Sequence, residues 1–498
     1  MMLNITTFLD ANSCRLEKPV FFCPERNTSY TSAEILSISS AIGRDLLSLG
    51  AVKGDRILLY MNSSPEYLVS YFAVWRIGCV AVPTNRVYTP SELAYMVENS
   101  GAKIFITDAD GVSAARKLPV KTYVPGDIES LRGEPRLLPE HTEYDDLCQL
   151  QYTSGTTGKP KGAMLTHGNW LASIHNICDV LTFKQDDVYL GIYPMGHVGL
   201  SWGIAAMRAG ALFVMMERYE YQKYLDLCKE HKVTVLAGMP PVIHSLTEAP
   251  EGTEDSLTTV REIISGGGPL HHDIWKKFYY RYNIPVINAY GLSETVVIGT
   301  GTVIRPEDYA SADRFQSVGH PVCFSEVKIV DELDSSIEMP IDMPGEIALR
   351  GPAVAKGYWN MPKETAASFL DDGWFLTGDV GYLDKDLRLF LTDRKKDMIV
   401  MSGWKIYPTE VEEALIGHEG VDEIAVFGIP DEHRGEMPVA AVVWRKGWDS
   451  SDKEGSLRAF AKERLAGYKV PRRIITVDAL PRVNGWKLLR RELREQYS

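Results

Sequence analysis

Residues 152–162 read Tyr152-Thr-Ser-Gly-Thr-Thr-Gly-Lys-Pro-Lys-Gly162 and carry the strongest signal in the chain. Glycines let backbone N–H groups converge on an anion, and the serine, threonine and lysine side chains add donors and positive charge. The stretch lacks the Gly-x-x-x-x-Gly-Lys-Ser/Thr spacing of the common P-loop. A flexible linker rarely combines two lysines with flanking apolar, strand-like runs. The composition therefore predicts a loop that binds a polyphosphate.

The overall composition is that of an ordinary globular protein, with 45% hydrophobic and 24% charged residues in 498 positions. A chain of this length is too long for one hydrophobic core, so two or three lobes are expected. The net charge of −13 argues against a nucleic-acid-binding protein and gives no reason to expect an anionic membrane partner. Seven scattered cysteines without a Cys-x-x-Cys pair argue against a disulfide framework or a zinc site.

Targeting and membrane signals are not found in the sequence pattern. The first residues, Met1-Met-Leu-Asn-Ile-Thr-Thr7, show no basic stretch followed by an apolar one, so no signal peptide is predicted. No run of about eighteen apolar residues occurs, so no integral membrane segment is predicted. Together with the scattered cysteines, these features predict a cytoplasmic protein.

Short apolar runs alternate with amphipathic segments through the larger part of the chain. Strands are predicted at 56–60, 80–83, 103–107, 233–236 and 285–288, and helices at 66–78 and 91–100. This alternation is typical of parallel sheets with covering helices, and it predicts an α/β fold.

The pattern changes at about residue 318. Short strands are predicted at 327–330, 345–350 and 387–391, which indicates a smaller β subdomain. The charged run Asp393-Arg-Lys-Lys-Asp397 marks the next boundary, and the roughly one hundred residues beyond it are enough for a small domain. In that domain, Thr409 with Glu412 three residues later predicts a helix that starts with a capping box.

Five further segments follow the 152–162 loop. They are Asn288-Ala-Tyr-Gly-Leu-Ser-Glu-Thr295, Trp374-Phe-Leu-Thr-Gly-Asp-Val-Gly381, Leu391-Thr-Asp-Arg-Lys-Lys-Asp397, Met401-Ser-Gly-Trp-Lys-Ile-Tyr-Pro408 and residues 480–493. In sequence and in order, the six segments resemble the motifs of the adenylate-forming acyl-CoA synthetase superfamily, over nearly the whole chain. The resemblance implies an N-terminal AMP-binding domain at 1–393 with a β subdomain at about 318–393. It also implies a hinge at 394–397, around Lys396, and a small, mobile α+β C-terminal domain at 398–498.

The resemblance also implies residues that bind ATP and then AMP. Tyr290 offers a flat face to a purine and Gly291 permits a tight turn, while Glu294 supplies a hard oxygen for Mg²⁺ together with Thr156. Glu294 and Ser293 are expected to act in catalysis, and Ser293 keeps the hydroxyl of the threonine that is usual there. The other expected nucleotide contacts are Thr153, Ser154, Gly155, Thr157, Gly158, Lys161, Gly267, Asn288, Ala289, Asp379 and Arg394, the last two on the ribose.

The C-terminal motifs imply a catalytic lysine and a CoA site. Lys487 falls at the position of the family's catalytic lysine, although Val483 replaces the usual threonine and Trp486 the usual glycine before the lysine. Because tryptophan adopts positive φ only at a cost, the loop is expected to be built differently here. The expected CoA-binding residues are Ser402, Gly403 and Lys405.

An acyl pocket is expected from motif positions, with His197 as a gate between it and the nucleotide. Its other expected residues are Trp202, Met239, Val242, Gly266, Gly268 and Val296. None is an arginine or lysine, whereas a dicarboxylate requires a buried cation. The pocket therefore favours a medium-chain, alicyclic or aromatic acid.

The activity implied by the resemblance is ATP-dependent ligation of a carboxylic acid to CoA, with Mg²⁺ and through an acyl-adenylate. A homodimer is consistent with the family. Two alternatives remain open from sequence: adenylation for a non-CoA acceptor such as a carrier protein, and a degenerate, non-catalytic nucleotide-binding homologue. No carrier-domain sequence is found after the expected C-terminal domain, which disfavours the first, and the retained motif residues disfavour the second.

Overall fold

The computed structural model describes residues 4–153, 160–268, 270–305, 307, 316–483 and 487–498. The chain forms two compact units, one of residues 1–327 and 349–376 and one of residues 328–348 and 377–498. The strands of the predicted β subdomain are divided between these units. The predicted N-terminal domain at 1–393, hinge at 394–397 and mobile C-terminal domain at 398–498 stay predictions.

The strands are β1 Pro19–Cys23, β2 Thr28–Thr31, β3 Arg56–Tyr60, β4 Val80–Thr84, β5 Ile104–Thr107, β6 Lys121–Tyr123, β7 Leu147–Thr153, β8 Lys161–Thr166, β9 Val188–Gly191, β10 Leu212–Met215, β11 Val235–Ala237, β12 Glu262–Ser265, β13 Val286–Leu292, β14 Val297–Val303, β15 His320–Pro321, β16 Glu326–Val330, β17 Gly345–Arg350, β18 Phe375–Leu383, β19 Leu389–Arg394, β20 Ile399–Met401, β21 Trp404–Ile406, β22 Val421–Asp431, β23 Gly435–Trp444, β24 Arg473–Thr476, β25 Arg482–Val483 and β26 Lys487–Leu488. The α-helices are α1 Thr7–Ser13, α2 Ser32–Ser48, α3 Pro65–Arg76, α4 Pro90–Ser100, α5 Val112–Ala115, α6 His167–Leu181, α7 Leu200–Ala209, α8 Tyr221–Glu230, α9 Pro240–Thr247, α10 His272–Tyr282, α11 Pro362–Ser368, α12 Pro408–Ile416, α13 Lys453–Arg464 and α14 Arg490–Tyr497.

Two large sheets organise the first unit. One has the order β15-β14-β13-β12-β11-β9-β10-β1-β2 and the other β6-β5-β3-β4-β7-β8. Every pair from β13 through β12, β11, β9 and β10 to β1 is parallel, as are the pairs from β6 to β7 in the second sheet. The predicted α/β fold with parallel-rich sheets and covering helices is confirmed.

The sheets are parallel and buried because their strands are apolar on both faces. In β3, Ile57 and Leu59 pack in the main core, while Leu58 and Tyr60 pack in a second apolar cluster with α4. Successive side chains of a strand point to opposite faces, so one short run serves two layers.

Side-chain caps fix the starts of the helices that cover these sheets. Thr89 and Glu92 form a capping box at the start of α4, and Thr31 and Glu34 form another at α2. Such a cap satisfies backbone N–H groups that have no partner within the helix.

The second unit contains a five-stranded sheet of order β21-β20-β23-β22, with β24 paired to β23. Residues of both units supply a four-stranded sheet of order β16-β17-β18-β19, while β25 and β26 form a two-stranded hairpin in the second unit. In β22, Ile424 and Val426 face an apolar cluster with α12, while Ala425 and Phe427 face another with Leu493 of α14. The smaller C-terminal region therefore has its own core.

One local prediction is wrong, and several predicted strands start one or two residues away from their observed starts. The helix predicted to be capped by Thr409 is α12, which begins at Pro408 with Tyr407 as the N-cap residue and no side-chain cap. Proline at the first helical position sets the start instead, and the Thr409 N–H donates to Asp393 Oδ2 at 2.7 Å. The strand predicted at 387–391 is β19, which starts two residues later because Leu387 adopts φ +58° in the preceding turn.

No helix in the described part of the chain is both long and apolar enough to cross a membrane. The seven cysteines, all within the described ranges, are free thiols.

Candidate nucleotide and acyl site

The polyphosphate loop connects two antiparallel strands. Thr153 at the end of β7 lies opposite Lys161 at the start of β8. The predicted contacts Ser154, Gly155, Thr156, Thr157 and Gly158 lie outside the described residues. Lys161 Nζ lies 4.9 Å from the centre of the Tyr358 ring, a cation–π distance.

Glu294 is held by Tyr358 in a buried position. It lies in the turn Ser293–Thr295 that follows β13, and it is 7% exposed. The Tyr358 hydroxyl donates to Glu294 Oε1 at 3.0 Å. Burial, and then the neighbouring carboxylate, raise the pKa of Tyr358 well above its usual range, so the phenol stays protonated and keeps donating.

The segment that carries Tyr358 joins Glu294 to the strand that leaves the loop. The Ala355 N–H donates to the Glu294 carbonyl at 2.7 Å. On the other side, the Met164 N–H donates to Gly357 O at 2.9 Å and the Trp359 N–H to Gly162 O at 2.8 Å. Glu294, Tyr358 and Lys161 therefore lie together beside β8, the strand that follows residues 154–159.

Sequence reasoning missed Tyr358. It is separated from Glu294 by 64 positions, and no spacing pattern links the two. The available signal was weak: an aromatic residue follows a glycine in Gly357-Tyr-Trp-Asn360.

The predicted contacts Asn288, Ala289 and Tyr290 lie along β13, where Ala289 pairs with Val303 and Tyr290 with Thr302 of β14. Asn288 Nδ2 donates to Ser317 O at 3.3 Å. Gly291, predicted to permit a tight turn, lies within β13 instead. A Cβ there would lie 1.8 Å from Val297 O, so glycine is needed for the close approach of β14.

Strained backbone follows Glu294 directly. Val296 has φ +48° and Val297 has φ +62°, values that β-branched residues rarely adopt. Each such residue costs about 1–3 kcal/mol and persists only where surrounding contacts fix it. The Ser173 hydroxyl donates to Val296 O at 2.6 Å, and the Thr295 hydroxyl to Val297 O at 2.8 Å.

The predicted acyl-pocket residues share one end of the larger sheet. Four of its parallel strands are adjacent in the order β13-β12-β11-β9. The segments that leave their carboxyl ends carry Val296 after β13, Gly266 to Gly268 after β12, Met239 and Val242 after β11, and His197 and Trp202 after β9. Because carboxyl ends of neighbouring parallel strands meet at one edge, this is where an α/β sheet places a ligand site.

These pocket residues are mostly buried and apolar. Trp202 and Val242 are each 2% exposed, and Val296 is fully buried. His197 is half-buried, with Nε2 3.5 Å from Asn85 Nδ2. Gly267, the predicted nucleotide contact, is exposed at φ +83°, a conformation that favours glycine.

Asp379 and Arg394, the predicted ribose contacts, are cross-strand neighbours. They pair in the register of β18 and β19, with Arg394 Nε 3.5 Å from Asp379 Oδ1. Sequence reasoning missed Glu346, which supports the turn before Asp379. Its Oε1 accepts from the Gly378 N–H at 3.0 Å, and its Oε2 pairs with Lys395 Nζ at 2.7 Å.

The predicted hinge and CoA residues lie on either side of β20. Lys396 is exposed in the short connection between β19 and β20. Ser402 and Gly403 form the two-residue turn between β20 and β21, with φ +53° and +83°. A Cβ at Gly403 would meet nothing within 4 Å. Lys405 Nζ is 3.3 Å from Glu332 Oε1, so its ammonium is partnered within the second unit.

The catalytic lysine of the resemblance, Lys487, lies in β26, where its backbone pairs with Val483 of β25. Trp486, the unusual residue before it, lies outside the described residues.

The residues present fit a magnesium ion that is shared with a nucleotide. Within the described ranges there is no cluster of three His, Cys, Asp or Glu side chains that would enclose a metal by itself. Glu294 offers one buried carboxylate beside β7 and β8. Mg²⁺ is usually held by one or two carboxylates together with substrate phosphates, so this donor set matches its preference.

Comparison with known proteins agrees with this geometry. The AMP-binding enzyme family matches residues 9–359, and the AMP-binding enzyme C-terminal domain matches residues 410–485. The chain is 31% identical to 4-coumarate–CoA ligase 3 of Oryza sativa subsp. japonica, over 96% of this chain and 89% of that protein. It is 33% identical to the long-chain-fatty-acid–CoA ligase of Bacillus subtilis (strain 168), over 94% and 90%.

A solved structure gives the same result. ATP-bound MatB from Rhodopseudomonas palustris superposes with a TM-score of 0.90 at 30% identity, covering 100% of this chain and 99% of that one. The chain therefore belongs to the AMP-binding enzyme family, and within it to the acyl-CoA synthetases, the AMP-forming acid–thiol ligases.

Proposed function

We propose that the protein joins an apolar monocarboxylic acid, of medium-chain, alicyclic or aromatic type, to CoA through an acyl-adenylate. The observation that supports this acid class is the pocket edge of the larger sheet, where Trp202, Val242 and Val296 are buried and no predicted pocket residue is an arginine or lysine. A second carboxylate buried there would lack a cation. Two relatives of the chain are named as ligases of 4-coumarate and of long-chain fatty acids, which are monocarboxylic acids.

The first half-reaction forms the adenylate. A carboxylate oxygen of the acid attacks the α-phosphorus of ATP, the bond to the bridging oxygen of the β-phosphate breaks, and pyrophosphate leaves. The polyphosphate loop and Lys161 would hold the β- and γ-phosphates, and Lys487 would place a positive charge on the oxygens where charge develops. Ser293 would add a neutral donor, and Asp379 and Arg394 would hold the ribose.

Glu294, with Thr156, would hold Mg²⁺, which supplies charge neutralisation on the phosphate oxygens when bound. The Tyr358 hydroxyl donates to Glu294 Oε1 and would fix the orientation of the carboxylate. His197 would separate the acid from the nucleotide.

The second half-reaction forms the thioester. The CoA sulfur attacks the acyl carbon, the bond to the AMP oxygen breaks, and AMP leaves. Gly403 would leave room for the pantetheine arm, because no atom lies within 4 Å of its missing Cβ. Lys487 and Gly403 would act in turn, with a rotation about the connection that holds Lys396.

Separate assays of the two half-reactions test this division. Lys487→Ala is expected to lose acid-dependent pyrophosphate release by about 100-fold or more while forming thioester from supplied acyl-adenylate at a near wild-type rate. Lys462→Ala, an exposed lysine on α13, is the matched control and should leave both steps unchanged. Equal loss of both steps in a folded Lys487→Ala protein would show that the division is wrong.

A further inference from the structure

The hairpin that carries Lys487 is anchored immediately beyond that residue. The Leu489 N–H donates to Pro481 O at 2.9 Å and closes the hairpin of β25 and β26. The next residue, Arg490, begins α14. Arg490 is thus three positions from Lys487, and a shift of its side-chain anchor moves the strand that presents the lysine.

Two carboxylates from separate segments hold the Arg490 guanidinium. Its Nη2 lies 2.6 Å from Glu412 Oε2 and its Nε 3.3 Å from Glu412 Oε1, a bidentate pair. Its Nη1 lies 3.8 Å from Asp397 Oδ2. The Arg490 and Glu412 side chains are 18% and 12% exposed, so solvent screens this pair less than a surface pair. Arginine is suited to such planar, bidentate contacts, and lysine reproduces only the charge.

Glu412 is itself fixed to the sheet of the second unit. Its Oε1 accepts from the Val426 N–H at 2.6 Å, on the edge strand β22. Burial raises the pKa of Glu412 to about 7, and Arg490 acts in the opposite direction. Asp397 lies in the connection between β19 and β20, two residues before β20 begins. One guanidinium therefore links α12, the predicted hinge connection and the Lys487 hairpin.

The neighbouring arginines make different contacts. Arg482 of β25 pairs with Glu423 of β22 and anchors the opposite strand of the hairpin. Arg491, the neighbour of Arg490, forms an exposed i,i+4 pair with Glu495 within α14. Arg490, three residues beyond Lys487, joins the start of α14 to α12 and to the 394–397 connection.

We propose that Arg490 is a positioning residue for adenylation: bound by Glu412 and Asp397, it fixes the hairpin so that Lys487 is presented in one geometry. This inference rests on the proposed function, because it assigns Lys487 to the first half-reaction. It predicts an effect on the rate of adenylation, with little effect on the binding of ATP or on thioester formation.

The test compares Arg490→Met, Arg490→Lys and Glu412→Gln with the wild type in three measurements. These are acid-dependent pyrophosphate release, thioester formation from supplied acyl-adenylate, and hydrogen exchange of the Leu489 amide. Arg490→Met should lower kcat for pyrophosphate release about 10- to 100-fold, change KM for ATP less than about threefold, and speed exchange at Leu489. Arg490→Lys and Glu412→Gln should fall between this variant and the wild type.

Arg491→Met is the matched control, since it removes an arginine from the same helix without touching Glu412, and it should behave as the wild type. Adenylation by Arg490→Met within about twofold of the wild type, or equal loss of both half-reactions in a protein with unchanged circular dichroism, overturns the inference. If the wild type itself releases no pyrophosphate with any acid, the proposed function fails, and unchanged Leu489 exchange in Arg490→Met then also refutes the anchoring.

Discussion

At the scale of single residues, Glu294 depends on a partner that its own motif does not contain. Tyr358 donates to its buried carboxylate, and Lys161 lies over the ring of the same tyrosine. A carboxylate that is to share a metal with a nucleotide needs a fixed orientation, and one hydrogen bond from a neutral, buried phenol supplies it without cancelling the negative charge.

Tyr358→Phe tests this dependence. A hydrogen bond to a charged group contributes about 1.5–3 kcal/mol, so kcat/KM for ATP should fall roughly 10- to 100-fold when the hydroxyl is removed. Steady-state kinetics at several magnesium concentrations measures the change. Tyr123→Phe, which removes a hydroxyl bonded to Asp45 at 2.8 Å, is the control. Wild-type kinetics in Tyr358→Phe would exclude the role.

His167 gives a pH signature of the first unit. It is fully buried, its Nδ1 accepts from the Ile5 N–H at 3.3 Å, and burial lowers its pKa from 6.5 to about 4. The unfolded chain therefore binds a proton between these values that the folded chain does not, so stability rises with pH from about 4 to 6.5 and is lost on acidification.

Denaturant unfolding of the wild type and His167→Gln checks this sign. Relative to the variant, the wild type should lose up to about 3 kcal/mol of unfolding free energy as the pH falls from 6.5 to 4. Parallel pH profiles of the two proteins would show that His167 is not buried as a neutral base.

At the scale of elements, glycine is required at two hairpin positions for different physical reasons. Gly291 in β13 has no space for a Cβ, while Gly403 in the turn before β21 has space but φ +83°. Both were singled out from sequence, and the sequence does not distinguish them. The need for glycine at 291 comes from a contact with Val297 O on another strand, whereas the need at 403 comes from the backbone conformation of the turn itself.

The substitutions Gly291→Ala and Gly403→Ala test these two explanations separately. Gly291→Ala should destabilise the first unit by about 3 kcal/mol or more and abolish activity, because the clash is with backbone that carries the Glu294 turn. Gly403→Ala should cost only about 1–2 kcal/mol and raise KM for CoA while pyrophosphate release stays near wild type. Thermal unfolding and half-reaction kinetics measure both. Similar stability losses in the two variants would contradict this distinction.

At the scale of the whole molecule, the sequence predicted most of the architecture. The alternation of apolar and amphipathic runs predicted the parallel-rich sheets, and β3 and β17 have the predicted bounds. The start of α12 was mispredicted because Pro408 competes with the Thr409 capping signal. Tyr358, Glu346 and Arg490 could not be found from spacing, since their partners are brought close only by folding.

The net charge of −13 does not argue against the predicted polyphosphate loop, because salt screens the field of distant charges and leaves short-range contacts dominant. The homodimer and the rotation about the 394–397 connection remain predictions of the resemblance, and the cytoplasmic location remains a prediction from the cysteine pattern and the absence of a signal-peptide pattern. The central claim is that this one protein catalyses both adenylation of an apolar acid and transfer of its acyl group to CoA.

The most direct measurement is a panel assay with purified protein, ATP, Mg²⁺ and CoA, in which single acids are graded by chain length, ring content and number of carboxylates. AMP and thioester are quantified together. The account predicts equal amounts of both for a group of apolar monocarboxylic acids and neither for dicarboxylates. Pyrophosphate release without thioester, or turnover with dicarboxylates alone, would contradict it.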